Sequence, residues 1–175
     1  NLKVTANVVY GTNATVEFFS DEGQAVPQDL LMDVYEPICD TTIDLRPLVI
    51  VAHGGTFLPD SLTGSLTGNK EAQHIQEIGR ALARKGFVVA AINYRRGWNP
   101  LLSAGPELQS SLVQAAYRGI QDLRTCIRYF RYQADELGNT FKVDTNRIAA
   151  FGEHSGGYIV LGAATLDDYS KMTIP

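Results

Sequence analysis

Short apolar runs alternate along the chain with longer stretches in which apolar residues recur at every third or fourth position. The short runs are rich in β-branched and aromatic residues and predict strands, whereas the longer period predicts amphipathic helices. Strands are predicted at 2–10, 15–19, 30–35, 48–52, 87–93 and 147–151. Strands that alternate with helices in this way indicate an α/β fold, with a mostly parallel sheet flanked by helices.

The first two predicted strands are expected to form an antiparallel pair, because Gly-Thr-Asn at 11–13 is typical of a turn between strands. The runs at 48–52 and 87–93 are continuously apolar, which predicts strands covered on both faces. Residues 143–146 are expected to turn the chain into its last strand. A loop rich in Gly, Ser and Thr is expected at 53–69.

Three helices are predicted, at about 70–85, 107–137 and 155–166. The second is the longest, with Pro106 at its start and Gly138 at its end. Its apolar residues form one continuous stripe, which predicts a helix packed along the sheet.

The composition fits one globular domain spanning residues 1–175, because 45% of the residues are hydrophobic and the length is sufficient for a buried core. A formal net charge of −4 argues against a nucleic-acid-binding surface or a basic membrane patch. No apolar run approaches the roughly 18–20 residues that span a bilayer. The start at Asn1 fits a mature or trimmed chain as well as a cytosolic one, and a secreted or periplasmic location is only slightly favoured over a cytoplasmic one.

The two cysteines leave two interpretations open. Cys39 falls in a predicted loop and Cys126 in the long predicted helix. They are either free, partly buried thiols or the two ends of a disulfide, which would require an oxidising compartment.

Residues 151–158 read Phe-Gly-Glu-His-Ser-Gly-Gly-Tyr and carry the strongest chemical signal of the chain. The nucleophile elbow Gly-x-Ser-x-Gly is a sharp turn from a strand into a helix that exposes a serine hydroxyl. Aligned on Gly152 and Gly156, the pattern puts His154 in the nucleophile position. Both glycines are then structural, because the turn brings backbone segments into close approach.

A second alignment, ending on Gly157, would make Ser155 the nucleophile. It would also put Glu153 at the leading position, where a side chain crowds the turn. The first alignment is therefore preferred.

The usual catalytic triad cannot be completed downstream of this motif. In hydrolases with such an elbow, the acid and the histidine follow the nucleophile along the chain. Only Asp167 and Asp168 follow as acids, and the other histidines, His53 and His74, lie upstream.

Two further motifs accompany the elbow. Residues 51–57 read Val-Ala-His-Gly-Gly-Thr-Phe, and residues 93–95 read Asn-Tyr-Arg. With the elbow, they resemble the His-Gly-Gly oxyanion loop and the Asp-Tyr-Arg segment of carboxylesterases and of hormone-sensitive-lipase-like esterases. The whole chain is thereby similar to the N-terminal half of an α/β-hydrolase, with two departures. Thr56 replaces a third glycine, and His154 replaces serine.

The resemblance implies hydrolysis of small carboxylic esters by acyl transfer. The N–H groups of Gly55, Thr56 and Ser155 would form the oxyanion hole, aided by the N-terminus of the helix that starts at Ser155. His53 and Gly54 would have structural roles in the oxyanion loop. The alternative is a catalytically inactive, hydrolase-like binding module.

Three roles are open for His154 and its neighbour. A neutral imidazole can itself attack an activated ester. Alternatively, the bulkier ring disables the site and leaves a binding pocket, because a misplacement of about 1 Å can cost ~100-fold in rate. In the third interpretation Ser155 serves as nucleophile, although its side chain is expected to point away from the nucleophile position.

The remaining candidates are assigned structural roles. His74, on a predicted helix, is expected to be solvated, and Asp122 is expected to be a hydrogen-bonded structural acid. The histidines have no ligand-like spacing and no cysteine pair supports zinc, so no metal is expected. The Gly-Gly loop lacks the residues of a phosphate loop, so no nucleotide or other cofactor is expected.

The resemblance also implies a partner. In the α/β-hydrolase fold the strand before the elbow lies in the middle of the sheet, whereas here 147–151 would form an apolar edge, which native proteins avoid exposing. We therefore expect the C-terminal half of the same hydrolase to cover it as a second polypeptide, which would supply the triad acid and histidine.

Overall fold

The computed structural model describes residues 1–16, 25–38, 44–59, 62 and 68–168. Within these residues five strands form one mixed sheet in the order β1-β2-β4-β3-β5. Strands β3, β4 and β5 are parallel to one another, β2 pairs with β4 in antiparallel orientation, and β1 pairs with β2 in antiparallel orientation. The strands are β1 (Leu2–Val16), β2 (Ala25–Pro37), β3 (Arg46–Ala52), β4 (Val88–Ile92) and β5 (Val143–Gly152).

In the part of the chain that the structure describes, three helices longer than one turn cover the two faces of the sheet: α1 (Gln73–Arg84), α2 (Pro106–Glu136) and α3 (Ser155–Thr165). On one face Ile75 and Ala83 of α1 pack on side chains of β2, β3 and β4. On the other face α2 and α3 enclose the larger core, in which Leu123 and Ile159 are fully buried. The predicted order of helices and strands from residue 48 onward is confirmed. None of the described helices is both long and apolar enough to cross a membrane.

The predicted N-terminal pair is wrong. Residues 11–13 do not turn, because β1 runs through them and pairs with β2 along its whole length. Gly11 has a different role: a Cβ at this position would lie 2.8 Å from Cγ2 of Thr125, so the glycine permits close approach of α2. Of the predicted strand 15–19, residues 17–19 lie outside the described part of the chain.

Three strands begin earlier than predicted, β3 by only two residues and β2 and β5 by more. β2 starts at Ala25 rather than at residue 30, because its polar first half pairs with β1. β5 runs from Val143 to Gly152, so the predicted turn at 143–146 is wrong. Val143 and Asp144 pair with β3, and the register then shifts before Ile148. This irregularity is where the sequence pattern suggested a turn.

Cys126 is a free thiol at the centre of the larger core. Its Sγ lies 3.9 Å from Sδ of Met32, and burial raises the pKa of the thiol. Cys39 lies outside the described residues.

Candidate active site

The turn from β5 into α3 forces His154 into a strained conformation. β5 ends at Gly152 and α3 begins at Ser155. Between them His154 has φ 48° and ψ −117°, in the left-handed half of conformational space that side chains rarely occupy. The side chain is exposed. The structure therefore places His154 at the tip of a tight strand-to-helix turn.

The glycines on either side of this tip are required by backbone packing. A Cβ on Gly152 would lie 2.2 Å from the carbonyl oxygen of Gly156. A Cβ on Gly156 would lie 2.2 Å from the carbonyl oxygen of Ala52, at the end of β3. Backbone atoms cannot move aside as a flexible side chain can, so neither position accepts a larger residue.

Ser155 points into the protein rather than toward the tip of the turn. Only 4% of the residue is exposed, and Oγ lies 3.1 Å from the hydroxyl of Tyr94. The hydroxyl is thus held inside the core beneath α3.

The loop after β3 runs beside the turn and is itself strained. Gly55, Thr56 and Phe57 have positive φ angles of 111°, 56° and 58°. Within the described part of the chain, the N–H groups of Gly55, Thr56 and Ser155 have no hydrogen-bond acceptor. Among the described residues, these three backbone donors are therefore left without an acceptor.

His53 anchors this loop from beneath. Its ring is fully buried, its Nδ1 donates to the carbonyl oxygen of Gly54 at 2.6 Å, and it stacks on Tyr94 with 4.4 Å between ring centroids. Burial lowers the pKa of His53 to about 3, with smaller contributions in the same direction from Arg96 and His74. The ring is therefore neutral, and its Nε2 has no hydrogen-bond partner among the described residues.

The segment after β4 supports the loop from the side. Gly97 N–H donates to the carbonyl oxygen of Phe57 at 2.8 Å, and Trp98 Nε1 donates to that of Thr56 at 3.0 Å. Arg96 lies against Gly55, since a Cβ there would be 3.4 Å from its guanidinium. Burial lowers the pKa of Arg96 to about 10. No sequence pattern indicated Arg96 or Trp98, although both lie within three residues of the Asn-Tyr-Arg segment.

Asp122 has the contacts of a structural acid. Its carboxylate is fully buried and accepts bonds from the guanidinium of Arg95 at 2.8–3.0 Å and from the Arg95 backbone N–H at 2.8 Å. Asn13 Nδ2 donates to the same carboxylate at 3.2 Å. This cluster joins α2, β1 and the segment after β4.

His74 is not simply solvated, which corrects the expectation from sequence. Its Nε2 lies 2.6 Å from Oε1 of Glu153, the residue between Gly152 and His154. The two side chains are 41% and 26% exposed. Because 79 positions separate them, no local pattern in the sequence could have found this pair.

A metal site is not formed within the described residues, since no three His, Cys, Asp or Glu side chains are grouped closely enough to hold an ion.

The fold is that of α/β-hydrolase esterases. Brefeldin A esterase, described as a bacterial homologue of human hormone-sensitive lipase, matches 98% of this chain with a TM-score of 0.57 and 13% identity, over 37% of its own length. Esterase 2 of Thermogutta terrifontis matches 87% with a TM-score of 0.52 and 22% identity, over 45% of its length. Esterase Est22 matches 93% with a TM-score of 0.51 and 20% identity, over 38% of its length.

Sequence comparison agrees with the fold. The chain is 28% identical over 156 residues to carboxylesterase 3B of Mus musculus, which covers 88% of this chain and 23% of that protein. The chain thus spans less than half the length of each of these relatives. The expected resemblance to α/β-hydrolases of the carboxylesterase and hormone-sensitive-lipase type is confirmed. The family model BD-FAE matches residues 32–173, and the chain therefore belongs to the BD-FAE family.

Proposed function

We propose that this chain forms the nucleophile-elbow part of a carboxylic-ester hydrolase acting on small esters. The observation that carries the proposal is the conformation of His154, at φ 48° and ψ −117° between two glycines that backbone packing requires. Such strain persists only where the surrounding structure enforces it, and it concentrates at functional positions. Membership of the BD-FAE family and the esterase fold support the same reaction class.

In this proposal the ester carbonyl oxygen accepts hydrogen bonds from the N–H groups of Gly55, Thr56 and Ser155. These donors have no acceptor in the described part of the chain, so binding an oxyanion would satisfy them without breaking existing bonds. The N-terminus of α3 adds a favourable dipole at Ser155.

His154 is the proposed nucleophile. Its neutral imidazole attacks the carbonyl carbon, and the bond to the alcohol oxygen breaks. The alcohol leaves with the imidazole proton, and water then hydrolyses the acyl-imidazole to release the acid and restore the ring. The buried position of Ser155 Oγ, bonded to Tyr94, argues against Ser155 in this role.

A catalytically inactive binding module is the second candidate. The observation that favours it is the missing hydroxyl at the elbow: His154 occupies the tip of the turn and the Ser155 hydroxyl is buried beneath it. An imidazole extends farther from the backbone than a serine hydroxyl, which misaligns it with a hole shaped around a serine adduct.

The decisive experiment combines acid quenching with mass spectrometry during reaction with a p-nitrophenyl ester of a short acid. The proposal predicts an acyl adduct on His154 and p-nitrophenol release that His154→Ala abolishes and Ser155→Ala retains. Release that survives His154→Ala would overturn His154 as nucleophile. No adduct, together with saturable binding of the analogous ketone, would establish the binding module instead.

We propose further that a second polypeptide, the C-terminal half of the hydrolase, covers the side of the sheet at β5. Within the described residues β5 pairs only with β3, and its other edge is bare. Phe151 of β5 and Tyr158 and Leu161 of α3, the helix that follows β5, are 43%, 71% and 64% exposed. Large apolar patches of this kind mark interaction surfaces, and a bare strand edge accepts further strands.

This partner is tested by native and denaturing mass spectrometry of the folded protein. The proposal predicts a second polypeptide of comparable size that Leu161→Glu releases. Tyr132→Glu is the control, because Tyr132 is a similarly exposed aromatic residue on α2. A complex of this chain with itself, or a single species unaffected by Leu161→Glu, would overturn the proposal.

A further inference from the structure

One oxygen of Glu153 links three elements around the proposed site. Oε1 lies 2.6 Å from Nε2 of His74 on α1, and it accepts the backbone N–H of Gly54 at 3.3 Å. Glu153 itself belongs to the turn between β5 and α3. Because the carboxylate oxygen only accepts hydrogen bonds, His74 must donate its Nε2–H in this contact.

The contact lies directly against the strained turn. A Cβ built on Gly54 would be 3.3 Å from Oε1 of Glu153 and 3.4 Å from Cβ of His154. The loop that carries the donors of Gly55 and Thr56 therefore touches the elbow at Gly54. The spacing between those donors and His154 depends on how the loop is held at this point.

We infer that Glu153 and His74 are positioning residues, which hold the oxyanion loop at the correct distance from His154. The inference rests on the proposed function for its catalytic consequence. The Glu153 carboxylate holds Gly54, and His74 holds the carboxylate by donating to the same oxygen. Because its Nε2–H donates to Glu153, His74 cannot use Nε2 to act on substrate.

The charge of this pair also fits a positioning role. A bare carboxylate next to an oxyanion hole would repel the negative charge that develops on the substrate. The Nε2–H of His74 and the backbone N–H of Gly54 both donate to the same oxygen and partly offset its negative charge. If Glu153 and His74 formed only a surface ion pair, its loss would leave the hydrogen bond of the Gly54 N–H unchanged.

The test measures hydrogen exchange of the Gly54 amide by NMR in the full chain. Glu153→Ala should accelerate exchange about 10- to 100-fold, because it removes the acceptor of that N–H. His74→Ala should produce a smaller acceleration in the same direction. Glu153→Gln should restore protection, since its carbonyl oxygen still accepts. Glu77→Ala is the control, because Glu77 lies on the same helix as His74 and its side chain bonds only to Gln73 among the described residues.

Ester kinetics supply the second readout. Glu153→Ala should lower kcat by about 10-fold or more with little change in KM, because oxyanion donors act mainly in the transition state. Gly54 exchange that is equal in wild type and Glu153→Ala would overturn the inference. If exchange responds as expected but wild type releases no alcohol, the pair positions the loop and the proposed hydrolase function fails on its own.

Discussion

The hydroxyl of Tyr94 lies 3.1 Å from Oγ of Ser155 and donates to the carbonyl oxygen of His53 at 2.8 Å. One phenol therefore joins the first residue of α3 to the start of the loop after β3. Burial raises the pKa of Tyr94, so the group remains a neutral hydroxyl that can donate. This bond network explains why Ser155 faces inward although it adjoins the exposed tip of the turn.

Tyr94→Phe should destabilise the protein by about 1–3 kcal/mol, because the carbonyl oxygen of His53 loses its buried donor. Ser155→Ala should cost about 1 kcal/mol, and the double variant should cost less than the sum of the two. Urea unfolding of the three variants and wild type measures the coupling. Additive losses would show that the two hydroxyls do not interact.

The glycines at the turn between β5 and α3 offer a matched comparison. Gly152→Ala and Gly156→Ala should each destabilise the protein by more than about 3 kcal/mol or prevent folding, since the new Cβ would lie 2.2 Å from backbone oxygen. Gly157→Ala is the control, because its Cβ would meet its nearest neighbour at an ordinary 3.5 Å.

Thermal unfolding of the three alanine variants would measure these losses. Gly157→Ala should lie within about 1 kcal/mol of wild type, since alanine favours the helix. Equal stability of Gly156→Ala and Gly157→Ala would contradict the close approach of α3 to the end of β3.

The elements that were predicted correctly from sequence are strands buried on both faces and a helix that buries one continuous apolar stripe. Strands β3 and β4 followed from their continuous apolar runs, and helix α2 followed from its apolar stripe between Pro106 and Gly138. The N-terminal pair failed because Gly11 looks like a turn residue, whereas its small size serves contact with Thr125 across the fold. Local rules cannot distinguish a glycine needed for φ from one needed for space.

The candidate site was predictable only as far as its motifs are contiguous. Gly54, Gly152 and His154 were found because neighbouring residues identify the loop and the turn. His74 and Arg96 were not, because their contacts with Glu153 and the loop at Gly55 depend on how helices and loops pack.

The variant Thr56→Gly should be a more stable protein than the variant Thr56→Ala. A β-branched residue at φ 56° is strained by about 1–2 kcal/mol, and alanine keeps most of that strain whereas glycine removes it. The Thr56 side chain is exposed, so little packing is lost. The free energy of unfolding in urea should be about 1 kcal/mol higher for Thr56→Gly than for Thr56→Ala. Both variants retain the backbone N–H at position 56. A more stable Thr56→Ala would show that the loop relaxes to negative φ.

His53 should make the fold less stable as the pH falls. Its pKa is lowered from 6.5 to about 3 by burial, so between these values the unfolded chain binds a proton that the folded ring excludes. Unfolding is therefore favoured by up to about 1.4 kcal/mol for each pH unit below 6.5, in addition to the effect of carboxylates. His53→Asn retains an N–H for the Gly54 carbonyl but does not titrate. From pH 4 to 7, the free energy of unfolding measured in urea should depend less steeply on pH in His53→Asn than in wild type. The difference should correspond to nearly one proton. Parallel slopes would show that solvent reaches the ring and protonates it in the folded protein.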